Sequence, residues 1–412
     1  ATTSQGTTYT GLTSSDRVIF TTINDDQSWT RFNRYFYFTN TATGSITTNG
    51  TGDVLANYAT PGNGADGGTI FTNDGTITLN GAKNYGVALN PRVDYRGADV
   101  TNTYDRFGTG YFDYGDAKII LNKPLYMNGD ESVGIQVLNP HFNFTNSVIK
   151  LNIGNTKNIA NSTGNLGSYS ADFVDKVIGI YVDYNAAAYS LTFDDYDIKL
   201  GQYSNTGMGL VLSRGNVTLS DNSKNSSIIS DGGIGNILLT ADGNGSKLTV
   251  GANTTLKAEN GNNQMGIFAN NNAIITNASA MTVDGNASIA YIANNGADIT
   301  NTGATTIKGG IYDNGVKKIG SVGVAVIGTG STFTSTGNIT VEVSGQESTG
   351  LFADTGIIDI TGGSIKTLNK AFNLFSKGPT GKIKLTNVTT ETGQGSLLFY
   401  NENGGTFELN NV

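Results

Sequence analysis

The densest group of residues able to make specific contacts lies between positions 92 and 114. Arg92, Tyr95, Arg96, Tyr104, Arg106, Phe107, Tyr111, Phe112 and Tyr114 are interleaved there with Asp94, Asp99, Asp105, Asp113 and Asp116. Tyrosine, tryptophan and arginine dominate binding hot spots, because each joins a large packing surface to a polar tip. Rings beside carboxylates suit carbohydrate stacking with hydroxyl bonding, or docking of a protein partner. The nine arginine and aromatic residues are therefore the candidate ligand site. The competing role for them is to fold their own segment back onto the scaffold. A second aromatic group, Trp29-Thr30-Arg31-Phe32-Asn33-Arg34-Tyr35-Phe36-Tyr37-Phe38, reads best as a cap over an open apolar end. Both groups follow a wider asymmetry: 27 aromatics precede position 201 and 11 follow it, and six of seven arginines precede position 107.

Groups suited to catalysis are fewer. His141, in Asn139-Pro140-His141-Phe142, is the only histidine. A serine hydrolase would need a placed nucleophile beside it, and no Gly-x-Ser-x-Gly or Gly-Asp-Ser-Gly string occurs. The chain has no cysteine, which excludes disulfides, thiol chemistry and zinc-finger sites. The acidic trio Asp194, Asp195 and Asp197 is read as solvated. Asp242-Gly243-Asn244-Gly245-Ser246 starts like a calcium loop but has Asn253 where the twelfth-position glutamate belongs. Neither a metal nor a cofactor is expected. Polysaccharide cleavage is the stronger enzymatic rival, because it uses carboxylates and the chain has 33. No acidic column lines up in the repeats described next, so a non-enzymatic role is expected.

The elements that hold these residues announce themselves through a recurring five-residue phrase. It reads Gly86-Val87-Ala88-Leu89-Asn90, Gly134-Ile135-Gln136-Val137-Leu138, Gly179-Ile180-Tyr181-Val182-Asp183 and Gly209-Leu210-Val211-Leu212-Ser213. It returns at Gly266 to Asn270, Ala290 to Asn294, Gly323 to Ile327, Gly350 to Asp354, Ala371 to Phe375 and Leu397 to Asn401. In this alignment the second and fourth columns are apolar throughout, while the third runs from Gln136 and Asn373 to Phe268 and Phe352. One constant and one free side is the mark of a strand with a single buried face. Glycine or alanine in the first column suits close approach of neighbouring backbone, and asparagine or aspartate in the fifth suits a turn. The outward rings Tyr181, Phe268, Phe352 and Phe399 are expected to pack on neighbouring coils.

A second and often a third short alternating run follow each phrase, as in Ile357 to Ile360 and Ser364 to Leu368. Between positions 266 and 397 the intervals are 24, 33, 27, 21 and 26 residues. Two or three strands of roughly 5 residues with their turns fill such a period, whereas a propeller blade needs about 40–50 residues. The predicted fold is all-β, a right-handed parallel β-helix with an N-terminal cap and insertions at its corners. Residues 1–80 would form the cap and first irregular coils, and 81–412 the β-helix, with a long excursion over 91–130. Fifty-six glycines, five prolines and abundant Asn, Thr and Ser agree with many turns and polar outer faces.

Net charge is −8, which disfavours nucleic acid and anionic membranes as partners. No apolar run is long enough to cross a membrane as a helix, so direct insertion is not expected, and a monomer is. The opening Ala1-Thr2-Thr3-Ser4 has no signal-peptide pattern, so any such segment is expected to have been removed.

The phrase grammar, together with runs such as Thr300 to Gly303, resembles the passenger domains of type V autotransporters, most of all the large fusobacterial outer-membrane adhesins. The resemblance covers roughly residues 80 to 412. It implies a virulence-associated adhesin, carried by type V secretion to the bacterial surface and held there by a C-terminal outer-membrane β-barrel. This chain would then be a fragment of a longer passenger. Its partner would be a glycan or protein receptor on host cells or neighbouring bacteria.

Overall fold

The computed structural model describes residues 2–4, 8–21, 36–58, 69–89, 117–159, 172–185, 189–219 and 224–412. Its regular secondary structure is nearly all strand; the one helical element among the described residues is the short turn Phe144–Asn146. The chain divides into two compact units, residues 1–218 and 219–412.

In the first unit the phrase strands Val18–Thr21, Val54–Tyr58, Tyr85–Leu89, Val133–Val137, Ile178–Asp183 and Met208–Arg214 stack as one parallel ladder. A second parallel ladder joins Thr8–Leu12, Ser45–Thr48, Thr76–Leu79, Leu125–Met127, Ile149–Ile153 and Tyr196–Leu200. A third joins Thr2–Ser4, Phe36–Asn40, Thr69–Asn73 and Lys118–Leu121. Alternation decides what each strand buries: Val87, Leu89, Ile135, Val137, Ile180 and Val182 are fully enclosed. Phe38 stacks on Phe71 with centroids 5.0 Å apart, and Phe20 tilts against both. The end of the second aromatic segment is thus core, while Trp29 to Tyr35 lie outside the described residues.

The second unit repeats one plan. The phrase strands are Ile237–Asp242, Met265–Asn270, Ile289–Asn294, Val322–Ile327, Thr349–Asp354, Phe372–Lys377 and Leu397–Glu402. Second-run strands lead from Lys247–Val250 through Ile274–Asn277, Asp298–Asn301, Thr332–Ser335, Ile357–Thr361 and Lys382–Thr386 to Thr406–Asn410. The third run comprises Ser226–Asp231, Thr254–Glu259, Ala280–Asp284, Thr305–Gly309, Ile339–Ser344, Gly363–Leu368 and Thr389–Thr392. Each stacks like on like in parallel, which is the architecture of a parallel β-helix. The 33-residue interval between Ala290 and Gly323 is explained by an antiparallel hairpin, Tyr312–Asp313 with Lys318–Ile319, inserted at a corner.

The register corrects the phrase alignment in three respects. Phe372 pairs with Thr349 and Leu374 with Leu351, so Asn373, not Ala371, stands over Gly350. Leu397 pairs with Phe372 and Phe399 with Leu374, so the last copy begins at Leu398 and Tyr400 is its outward ring. Phe399 lies on the inner side, against Phe407 at 5.3 Å. Three further phrase strands, Val18–Thr21, Val54–Tyr58 and Ile237–Asp242, lack the glycine and escape the alignment.

Candidate functional surface

The nine residues Arg92, Tyr95, Arg96, Tyr104, Arg106, Phe107, Tyr111, Phe112 and Tyr114 lie outside the described residues. The strands that flank them, Tyr85–Leu89 and Lys118–Leu121, each belong to a ladder of the first unit. His141 meets the ring of Tyr189 edge-on at 4.4 Å, and its backbone N–H donates to Asn139 Oδ1 at 2.8 Å. Hydroxyls of Thr145, Ser190 and Thr192 share a shallow depression with it. Asp194 is buried, and Asp197 stands in register with Lys150. The Asp242 to Ser246 string is a corner turn, with Ser246 Oγ donating to Asp242 O at 2.7 Å. Among the described residues no group of three or more His, Cys, Asp or Glu side chains is placed to hold a metal.

The outer face of the third-run ladder in the second unit brings together residues that sequence reasoning did not connect. In Thr282-Val283-Asp284 and Thr306-Ile307-Lys308 the middle residue is buried and its neighbours point outward. Thr340-Val341-Glu342 and Ser364-Ile365-Lys366 repeat the pattern on the next two coils. In-register pairing stacks Thr282, Thr306, Thr340, Ser364 and Thr389 into one hydroxyl column. Two residues further along each strand, Asp284, Lys308, Glu342, Lys366 and Glu391 form a charge column of alternating sign. Coils repeat every ~4.8 Å, so both columns are presented at that step.

The last pair of the charge column is closed. Lys366 Nζ lies 3.1 Å from Glu391, and that hydrogen bond and its charge raise the lysine's pKa. Among the described residues, Asp284, Lys308 and Glu342 make no ion pair within 4.0 Å and no side-chain hydrogen bond, though the charge of Glu342 also helps raise the Lys366 pKa. They line a depression of about 230 Å³ together with Asn286, Ser344, Gly285, Gly309 and Gly310. A Cβ on Gly309 would stand 2.3 Å from both Gly285 O and the buried Ser321 Oγ, so this strand end packs tightly against the neighbouring corner. The inserted hairpin begins at Tyr312, two residues after Gly310, and carries Val316, 88% exposed, at its tip.

Buried polar columns tie successive coils together at other corners. Asn277 Nδ2 donates to Asn301 Oδ1 at 3.0 Å, and Asn301 Nδ2 donates to Ser335 Oγ at 3.0 Å. At another corner Ser288 N donates to Ser321 Oγ at 3.1 Å and Ser321 N to Ser348 Oγ at 3.0 Å. Tyr291 is enclosed between coils, its hydroxyl 3.0 Å from Asn301 Oδ1 and 2.5 Å from Thr305 Oγ1. Burial pushes its pKa up to about 12, against smaller opposing effects of hydrogen bonds with Thr305 and Asn277.

No family model, no curated protein and no solved structure matches the chain. The fold and the surface therefore rest on the geometry alone. The hydroxyl and charge columns were within reach of the sequence. Thr-x-Asp, Thr-x-Lys, Thr-x-Glu and Ser-x-Lys recur at the third run, a signal overlooked because the alignment followed only the phrase.

Proposed function

We propose that this chain is a non-catalytic adhesin passenger fragment, displayed outside a bacterial cell and binding a surface glycan or protein. The observation that carries the reading is the outer face of the third-run ladder. Five successive coils offer a hydroxyl and a charged group in fixed register, which suits many weak contacts made together. The phrase grammar that resembles autotransporter passengers points the same way, toward an extracellular protein anchored by an outer-membrane barrel. The arginine and aromatic residues between 92 and 114 are proposed as a second contact region, since these residue types dominate binding hot spots. The test is binding of the whole chain to epithelial and bacterial cells. Replacing Tyr111, Phe112 and Tyr114 by alanine should reduce that binding while the far-UV circular dichroism stays the same. No binding to any cell surface would favour an inert spacer.

One observation favours a second reading, a polysaccharide-cleaving enzyme. Asp231 stands in register with Glu259 on adjacent coils, and glycosidase carboxylates lie roughly 5–10 Å apart. Glu259 is paired with Lys257 at 3.1 Å and Asp231 accepts from Asn260 at 2.8 Å, so both carboxylates are already occupied within the chain. Incubation with candidate polysaccharides should release no reducing or unsaturated ends. Turnover lost on Glu259→Gln would establish the enzyme instead.

A further inference from the structure

We infer that the depression between Asp284, Lys308 and Glu342 is the anchoring subsite for an uncharged, hydroxyl-rich glycan chain, which continues along the threonine column. The inference rests on the surface-binding reading above and narrows it to one ligand class and one face.

Three features lead to it. First, the depression holds two carboxylates and one ammonium that make no ion pair within 4.0 Å and no side-chain hydrogen bond among the described residues. A sugar hydroxyl can donate to Asp284 or Glu342 and accept from Lys308, so a single polyol ring satisfies both kinds of group. Second, the charges alternate along the column, Asp284 beside Lys308 and Lys308 beside Glu342. An anionic polymer would meet the two carboxylates, and a cationic one would meet the lysine; a neutral chain meets neither penalty. Third, three of the eight lining residues, Gly285, Gly309 and Gly310, are glycines, so part of the depression's wall is bare backbone. A ring can therefore approach the peptide groups closely.

Beyond the depression the hydroxyls of Thr306, Thr340 and Thr389 are exposed, and those of Thr282 and Ser364 half-exposed, at one per coil. A rigid row of donors and acceptors at a constant step favours an extended ligand over a compact one. Affinity should then grow with ligand length as more coils are engaged.

The test uses the full 412-residue chain and calorimetric titration with neutral β-1,4-glucan, β-1,3-glucan and mannan oligomers of two to six sugars. A hexa-uronate serves as the anionic control. The expected result is binding of at least one neutral series, at least tenfold tighter for the hexamer than for the dimer. In the double variant Asp284→Asn, Glu342→Gln and in Lys308→Met, affinity should fall at least tenfold with an unchanged melting temperature. No neutral oligomer binding, preference for the uronate, or affinity untouched by these substitutions would overturn the assignment. Scoring the same proteins on cells separates the two levels. Intact cell binding without any glycan response removes this subsite and leaves the surface-binding reading standing. Glycan binding without cell binding supports the subsite and removes the adhesin reading, and neither removes both.

Discussion

The carbonyl oxygen of Gly179 occupies the space beside Gly134 on the coil before it, 2.5 Å from where a Cβ on Gly134 would stand. The relation recurs from Gly86 to Gly134 at 2.4 Å and from Gly323 to Gly350 at 2.4 Å. On the other flank a side chain of another ladder fills the gap: Leu125 beside Gly86, Leu151 beside Gly134, Val341 beside Gly323. On these coils the phrase glycine therefore leaves room for the neighbouring coil's carbonyl and side chain.

Gly134→Val should destabilise the first unit by about 1–3 kcal/mol through overpacking, and Gly134→Ala by less, since Ala290 occupies the same column. Urea unfolding of both variants checks the order. Equal stabilities would deny the contact.

Tyr291→Phe should cost about 1–3 kcal/mol by leaving Asn301 and Thr305 without their shared partner. The hydroxyl also makes stability depend on pH. Its folded pKa of about 12 lies above the ordinary value of 10.0, so the neutral form is favoured by folding. That contribution is complete below pH ~10 and is lost as pH rises toward ~12, on the order of 2–3 kcal/mol. The melting temperature of the native protein should fall more steeply than that of Tyr291→Phe across this window.

Arg17→Ala should destabilise the first unit by about 3–5 kcal/mol, because it strands a buried carboxylate. Arg17 Nη2 lies 2.6 Å from Asp53 Oδ2, and Thr48 Oγ1 donates to the same oxygen. Burial pushes the Asp53 carboxyl up, but hydrogen bonds from Arg17 and Thr48 outweigh it and hold the pKa below the usual 3.8. A lowered pKa means the contribution is present above the unfolded value and disappears as pH falls through the folded one. Acid titration of stability should show this loss in the native protein and not in Asp53→Asn.

Replacing the hairpin Tyr312 to Ile319 by a two-glycine turn should change stability by less than about 1 kcal/mol, since corner loops tolerate length changes well. Thermal unfolding checks this. A large loss would mean the hairpin is part of the stack.

The fold was legible because alternation with one invariant side survives even in a polar sequence. What escaped shows the limits of that signal. Leu55 and Leu238 stand in the glycine column and are fully buried, so a pattern anchored on glycine passes over their strands. The copies at Ala371 and Leu397 are misplaced by two and one residues. A two-residue slip keeps inward residues inward, so alternation cannot detect it. The serine that precedes the phrase at Ser321, Ser348 and Ser396 would have fixed the register, since its hydroxyl accepts from the neighbouring coil. The hydroxyl and charge columns needed the third run aligned as carefully as the first. The nine residues between 92 and 114 were chosen from composition alone, and composition does not place side chains.

Distances along the threonine column test the stacked-coil architecture most directly. The chain has no cysteine, so spin labels can be placed in pairs at Thr306 and Ser364, at Thr306 and Thr389, and at Thr282 and Thr389. Two, three and four coil steps separate these pairs. The predicted EPR distances increase by about 4.8 Å per step, to about 10, 14 and 19 Å. Separations that fail to rise in that order, or that differ from it by more than the label's own reach, would contradict parallel in-register stacking.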